Sequence, residues 1–512
     1  MESLYCLSLI LKFILMQIRS ILSRALAPIV AASIRKDAGH AIECQDRVFK
    51  KLIKAGQHCI YGKAHRFKEI KSYEDFRRHV PLVNYEDFRP LIERVSKGEK
   101  NVLWPGLPIY FAKTSGTTSG TKYIPITRDS IPNHLNSARN ALLMYMARSG
   151  NYAFADHSMI FLQGSPVLDK KGVIPAGRLS GIVAHHIPAY LQKNRMPSWK
   201  TNCIEDWETK VNAIVDETLK KRMSLISGIP SWLRMYFEKL VARTGKPVGE
   251  IFPDFSLLVY GGVNYEPYRQ VFDSLIGRHI DTVELYPASE GFIAFQDEGT
   301  GEGLLLNVNS GIFFEFIPAD KVHEEFPERI PLEGVETGKD YALVLSSNAG
   351  LWGYNLGDTV RFVSLKPYRL IVSGRVSQFI SAFGEHVIAS EIEEALAQAC
   401  AQSGIKVNEF TVAPMVNPPK GLPHHQWLIE FGKAPVSLTE FAVMVDQELR
   451  KRNTYYDDLI AGHVLEQLHV IALKDGTFRK YLISKGKLGG QNKMAHLSDN
   501  REIAEGLLNL EI

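Results

Sequence analysis

Cysteine is scarce in this chain. Cys6, Cys44, Cys59, Cys203 and Cys400 are scattered through 512 positions and no two form a CxxC pair. That excludes a disulfide-stapled fold and a cysteine zinc site, and it reads as free thiols in a reducing compartment, the cytoplasm. An excess of charge of either sign is missing as well. A formal net charge of +4 over this length implies neither a nucleic-acid surface nor an acidic partner. No apolar run is long enough to cross a bilayer: Leu4 to Leu15 comes nearest, and Lys12 interrupts it, so stable membrane insertion is not expected. The same segment has no positive n-region, since Glu2 is its first charge. It continues through Ile18, Ile21, Leu22, Leu26 and Ile29 at helical spacing, which predicts a packed amphipathic helix, with a membrane-surface helix as the alternative. No internal repeat is visible, so a solenoid is excluded.

What is present is an α/β pattern. At 45% hydrophobic and 23% charged, a chain of this length builds more than one globular domain. Helices and polar loops such as Tyr61-Gly-Lys-Ala-His65 fill the first hundred residues. Strand-like runs then alternate with helices: Met159–Leu162, Leu257–Tyr260, Thr282–Tyr286 and Tyr341–Leu345, with a helix over Ser231–Arg243 capped by Ser231. A helix opens at Ser390, and a lysine-rich, glycine-punctuated loop is expected over Arg479–Lys493. We therefore expect a large N-terminal domain (1–382) of mixed sheets flanked by helices. A hinge between Arg375 and Ser390 leads to a smaller, mobile α+β domain (383–512).

The stretch richest in chemistry is Thr114-Ser-Gly-Thr-Thr-Ser-Gly-Thr-Lys122, between the apolar runs Ile109–Ala112 and Tyr123–Ile126. Hydroxyls and main-chain N–H groups in such a turn surround phosphate oxygens, and the glycines let the backbone come close. It is not a Walker loop: only three residues separate Gly116 from Gly120, and no Gly-Lys-Ser/Thr follows. A flexible surface loop is the bland alternative. Three further patterns follow downstream. Tyr286-Pro-Ala-Ser-Glu290 ends a strand with a ring able to face a purine and a carboxylate able to hold magnesium. Tyr354-Asn-Leu-Gly-Asp358 offers a carboxylate suited to a ribose diol, or simply an Asp in a tight turn. Ser373-Gly-Arg375 is followed by Phe383-Gly-Glu-His386 and the helix Glu391-Ile-Glu-Glu394. The adjacent pairs His185-His186 and His424-His425 point their rings apart and make poor ligand spacing.

In this order, with a late lysine at Lys493, the patterns resemble the luciferase-like adenylate-forming superfamily. Within it the chain is most similar to the auxin-responsive-promoter family of acyl-acid amido synthetases. The loop reads Thr118-Ser-Gly-Thr-Lys-Tyr-Ile-Pro125, and the likeness extends to Ile60-Tyr-Gly-Lys63, Leu257-Leu-Val-Tyr-Gly-Gly262, Leu365-Lys-Pro-Tyr368 and Gln491-Asn-Lys493. One departure stands out: Met494-Ala-His496 replaces the Thr-Pro-Arg that continues from the last lysine in plant members.

The resemblance implies ATP and Mg2+ as cofactors and a small carboxylic acid and an amine, an amino acid by family habit, as substrates. It implies activation of the acid as acyl-adenylate and transfer to the amine. Acid–CoA ligase and non-catalytic nucleotide- or acyl-binding relative are the competing readings. By the same resemblance Thr114, Ser115, Gly116, Thr117, Thr118, Ser119 and Gly120 would cradle phosphates. Ser289 would meet the α-phosphate, and Glu290 the metal. Tyr286 with Gly261, Gly262 and Val263 would pack on adenine, and Asp358 would take the ribose with Arg375 nearby. Lys493 would come from the small domain to neutralise developing charge. Lys122 is either a second donor or a solvated lysine, and His386 either a phosphate donor or an uninvolved hinge residue. The acid would lie among Leu142, Met146, Leu179, Ile229 and Trp232, residue types that also make plain core.

Overall fold

This computed structural model describes residues 2–511 apart from 116–120, 188–191, 193, 205–206, 263–264, 300, 323, 376–378, 381–386, 416–417, 462–464, 487–493 and 499–500. The alternation of strands and helices builds a twelve-stranded sheet with two characters. On one side Arg195–Met196, Ser158–Phe161, Met223–Gly228, Leu257–Gly261 and Asp281–Pro287 lie parallel in that spatial order. Helices cover both faces here, Ile131–Ser149 on one and Pro230–Thr244 with Glu266–Ile276 on the other. Leu225, Ile226, Leu257 and Leu258 are therefore sealed from solvent whichever face they point to. Beyond Asp281–Pro287 every pairing is antiparallel: Phe292–Phe295, Leu304–Leu306, Tyr368–Arg375, Tyr354–Leu365, Asp340–Ser347, Ile312–Pro318 and Ile330–Pro331. A smaller sheet sets Tyr110–Ser115 between the antiparallel Thr121–Ile126 and the parallel Ile174–Gly177.

The C-terminal part has its own core. Strands Lys406–Met415, His424–Lys433 and His469–Leu473 pack on helices Ala389–Ser403 and Leu438–Arg452, burying Ile392, Phe410, Trp427, Phe441 and Leu449. The fold is thus a large α/β domain of mixed sheets with a smaller α+β domain after it. The expected boundary between residues 382 and 383 lies outside the described residues.

Four local expectations are corrected. The N-terminal helix Glu2–Gly39 exists, but Ile21, Leu22, Leu26 and Ile29 are exposed, while Ala27 and Ala31 are buried in the cluster that holds Met144 and Tyr145. Small side chains let the backbones approach, so the buried stripe is the alanine one. Among the described residues no helix is long and apolar enough to cross a membrane. Tyr61–His65 is not a polar loop: Ile60–Ala64 is a short helix, and Tyr61 stacks against Phe88 and Trp352. The helix expected to be capped by Ser231 begins instead at Pro230, whose fixed φ suits the first helical position. Finally, Thr477–Ser484 is helical because Phe478 and Tyr481 have a hydrophobic cluster to join, so the expected loop at Arg479 starts only after this helix.

Candidate active site

The parallel strands bring their carboxyl ends to one edge of the large sheet, where ligands of α/β sheets bind. Gly261 ends its strand there beside Leu285, and a Cβ on it would meet the Leu285 carbonyl oxygen at 2.3 Å. Only glycine allows that approach. Gly262 follows with φ +86°, again a glycine conformation. Val263 lies outside the described residues.

The neighbouring strand passes through Tyr286 into a tight turn. Ala288 and Gly291 exchange main-chain hydrogen bonds of 3.0 and 3.2 Å, which puts Ser289 and Glu290 at the tip. Ser289 is buried and Glu290 half-buried. The antiparallel half of the sheet then delivers two partners from far along the chain. The Tyr286 hydroxyl donates to Asp358 Oδ2 at 2.6 Å, both residues being buried. The Tyr354 hydroxyl points to Glu290 Oε1 at 3.5 Å, the long limit of a hydrogen bond. Burial first, then the Glu290 charge, pushes the Tyr354 phenol far above its ordinary range, so it stays protonated and serves as a donor. Asp358 pairs across the ladder with Arg375, whose side chain lies outside the described set.

The paired strands that flank residues 116–120 reach the same place. Tyr110–Ser115 and Thr121–Ile126 pair with Thr114 opposite Lys122 and Ser115 opposite Thr121, so Thr114 and Lys122 belong to strands rather than to the turn. Gly116, Thr117, Thr118, Ser119 and Gly120 lie outside the described residues. Lys122 Nζ sits 5.8 Å from the centroid of the Tyr85 ring, and the Tyr123 amide donates to the Tyr85 hydroxyl at 2.8 Å. Val83 pairs with the chain at Gly353 and Asn355, which brings Tyr85 near enough for its charge to act on Tyr354. Lys122, Tyr85, Tyr354 and Glu290 therefore form one connected wall. Three motifs that stand far apart in the chain meet on it.

His386 and Lys493 lie outside the described residues. Met146, Leu179 and Trp232 are buried in three different hydrophobic clusters.

Two features had no signal in the spacing. His496, three residues after Lys493, is clamped between Glu393 Oε1 (2.7 Å) and Glu409 Oε1 (3.0 Å) and stacks on Phe410. Burial alone would lower its pKa, but the two carboxylates raise it to about 10, so it is an imidazolium. His424 is accompanied by Glu466 and His469, with ligand atoms within 4.8 Å of one another. Yet the two imidazoles lie 3.8 Å apart, centroid to centroid, and His424 Nδ1 also faces the Leu422 carbonyl at 3.0 Å, so the rings face each other and the main chain rather than converging on a metal.

Three family models match this chain: the GH3 family N-terminal domain over residues 30–209, the GH3 family central domain over 305–375 and the GH3 family C-terminal domain over 390–502. Among curated relatives, indole-3-acetic acid-amido synthetase GH3.3 of Arabidopsis thaliana is 22% identical, with 88% of each chain covered. Jasmonoyl–L-amino acid synthetase JAR4 of Nicotiana attenuata is 21% identical over 64% of this chain and 67% of that one. Among solved structures, the AtGH3.15 acyl acid amido synthetase in complex with 2,4-DB superposes with a TM-score of 0.76 at 16% identity, covering 94% of this chain and 96% of that one. A 2-hydroxyisobutyryl-CoA ligase reaches 0.60 at 13% identity, covering 91% and 90%.

Proposed function

The chain belongs to the GH3 family, and on that premise we propose that it is an ATP-dependent acyl-acid amido synthetase. It joins a small carboxylic acid to the amine of an amino acid through an acyl-adenylate, in the cytoplasm. Relatives named for indole-3-acetic acid amides and for jasmonoyl amino acids support that substrate class. The observation that carries the reading is the meeting of Glu290–Tyr354 and Tyr286–Asp358 at the carboxyl edge of the sheet, next to the phosphate-loop hairpin.

In the first half-reaction a carboxylate oxygen of the acid attacks the α-phosphorus of ATP, the bond to the β-phosphate oxygen breaks, and pyrophosphate leaves. In the second the amine nitrogen attacks the acyl carbon, AMP leaves with the bridging oxygen, and the amine proton passes to solvent. Neither step needs a protein nucleophile, only oriented donors and cations. Tyr286 holds Asp358 in place for the ribose diol without cancelling its charge. Ser289, at the turn tip, would donate to an α-phosphate oxygen, and residues 114–120 would cradle the others. A half-exposed carboxylate such as Glu290 is a hard oxygen donor that fits Mg2+. Bound there, the ion would offset negative charge on the phosphates. Lys493 would act from the small domain in adenylation and withdraw for amide formation, which makes that domain a lid. Lys493→Ala should then slow adenylate formation and spare amide formation from preformed adenylate; equal slowing of both would overturn the lid.

Pyrophosphate release from ATP in a pool of acids, with amino acids or CoA added, tests the whole reading. Acceleration by amino acids is the expected result. Acceleration by CoA alone would favour the acid–CoA ligase, and no release with any acid would overturn both.

A further inference from the structure

Next to the hairpin strands that flank residues 116–120 the large domain holds a buried polar cluster that the reading above leaves unused. Ile174–Gly177 runs parallel to Tyr110–Ser115, with Gly177 opposite Ala112. The chain therefore leaves its strand at Arg178 just as the neighbouring strand approaches the phosphate loop. The Arg178 stem lies along the main chain at Gly164, where a Cβ would come within 2.5 Å of Arg178 Cδ. Gly164 follows the carboxyl end of Ser158–Phe161, two places from Leu257–Gly261 in the sheet. Arg178 thus stands over the same carboxyl edge as Gly261 and Tyr286.

Its environment is unusual for an arginine. The guanidinium is half-buried, and among the described residues it makes no hydrogen bond and no ion pair. Burial holds its pKa below the ordinary arginine value, with no carboxylate acting against it. A second cation stands nearby. Lys210 is 2% exposed and donates to the main-chain carbonyls of Asn202 (2.7 Å) and Gln163 (3.3 Å). Burial first, and then the charge of Arg178, brings it down to about 8. Gln163 Nε2 and Ser180 Oγ, both donors, are buried without a hydrogen-bond partner among the described residues. Two like charges held together in a buried cluster repel, and buried donors left unpaired cost free energy. Both penalties fall when an anion with two acceptor oxygens enters, and a guanidinium is the side chain that grips such a group in a two-pronged fashion.

We propose that Arg178, backed by Lys210, binds a substrate carboxylate at the crevice: either that of the acid to be activated or the α-carboxylate of the amino acid acceptor. The proposal rests on the synthetase reading for why a carboxylate enters there, but its first test does not need turnover. Thermal melting of the full chain is followed with benzoate, which has no amine, and with L-glutamate, each against the compound in which every carboxylate is replaced by an amide. Arg178→Gln should abolish the stabilisation by one of them, while Arg178→Lys, which keeps the charge, retains part of it and shows that the fold persists. Loss with benzoate assigns the acid; loss with L-glutamate assigns the acceptor. Steady-state assays should then show the KM for that one substrate raised about tenfold to a hundredfold, with ATP affinity unchanged. Stabilisation by both probes unaltered in Arg178→Gln would overturn the proposal, as would a fall in ATP affinity with both KM values intact, since that would make Arg178 a phosphate contact. If wild-type protein releases no pyrophosphate with any acid, the synthetase reading fails while the melting arm still reads Arg178.

Discussion

The carboxylates of the candidate site and those of one buried cluster in the small domain are held in opposite ways. At the candidate site phenols face carboxylates: Tyr286 on Asp358 and Tyr354 on Glu290. A neutral donor orients a carboxylate and leaves its negative charge in place, ready for a metal ion or a ribose diol. In the small domain, Glu393 and Glu409 are both spent on the His496 imidazolium. That charge is matched inside the protein and has little to offer a ligand. The first arrangement reads as a site and the second as an anchor. Its placement says what is anchored. The Val412 amide donates to the His496 carbonyl at 2.8 Å, Thr411 Oγ1 to the Ala495 carbonyl at 2.7 Å and the Ser498 amide to the Val412 carbonyl at 2.9 Å. Residues 495–498 are stitched to the strand Lys406–Met415, directly after Lys493. Across this point stands the large domain, where Arg234 donates to Asn408 Oδ1 at 3.4 Å. Burial, and then Glu409, raises the pKa of Tyr268.

The sharpest way to break the contrast is to remove the anchor. His496→Leu leaves two adjacent, largely buried carboxylates with no cation between them, a change that typically costs about 3–5 kcal/mol. The small domain should melt early in calorimetry while ATP still binds the large one; a simultaneous loss of both would show that the anchor is not confined to its domain. The same clamp gives a pH signature. A histidine raised to about 10 in the fold, against roughly 6.5 in an unfolded chain, contributes stability that is fully present below pH about 6.5. That contribution fades as the pH rises through about 10. Wild-type stability should therefore fall between neutral and alkaline pH more steeply than that of His496→Gln, measured by denaturant unfolding at each pH.

On the site side, Glu290→Ala should leave the fold intact and slow pyrophosphate release on the order of a hundredfold or more, as expected for loss of about 2–4 kcal/mol of transition-state stabilisation. Normal release would remove Glu290 from the site. Tyr286→Phe keeps the ring and deletes only the donor to Asp358. ATP affinity should weaken by about 1.5 kcal/mol, roughly tenfold, in a direct binding measurement. Unchanged affinity would mean that Asp358 holds its orientation without the phenol.

This division of labour was only half visible in the amino-acid string. Apolar runs on either side of a glycine-rich stretch mark strands, so the strands that flank residues 116–120 and the strand that carries Tyr286 were legible, whereas the Tyr354 segment, where Asp358 could have sat in a tight turn, is a strand. The phenol–carboxylate pairs join residues 64 and 72 positions apart, and no local pattern encodes such a meeting. Periodicity misled where small residues carry the contact: Ala27 and Ala31, not the larger aliphatics, face the core. It was silent at Tyr61, where polar neighbours concealed an aromatic stack. Met494-Ala-His496 registered only as a departure from a family pattern. Its meaning depends on Glu393 and Glu409, which lie on a helix and a strand brought together by the fold.

The smallest expected effect concerns the residue that stands between the two styles. Lys122 is a cation on the site wall, yet among the described residues it has a ring and no carboxylate: its Nζ faces Tyr85 at 5.8 Å. A cation–π contact of this kind is worth about 0.5–1 kcal/mol at a partly exposed position. If that is its work, Lys122 stiffens the base of the phosphate turn, and Lys122→Met should lower stability by about that amount and slow pyrophosphate release less than tenfold. If the ammonium leaves the ring to meet phosphate when substrate is bound, the same variant should lose on the order of a hundredfold in rate, as oriented cations in such sites do. Tyr85→Leu separates the cases further. It frees the lysine, so a structural Lys122 loses its role together with the ring and the double variant is no worse than either single one, whereas a phosphate-binding Lys122 still adds its full effect.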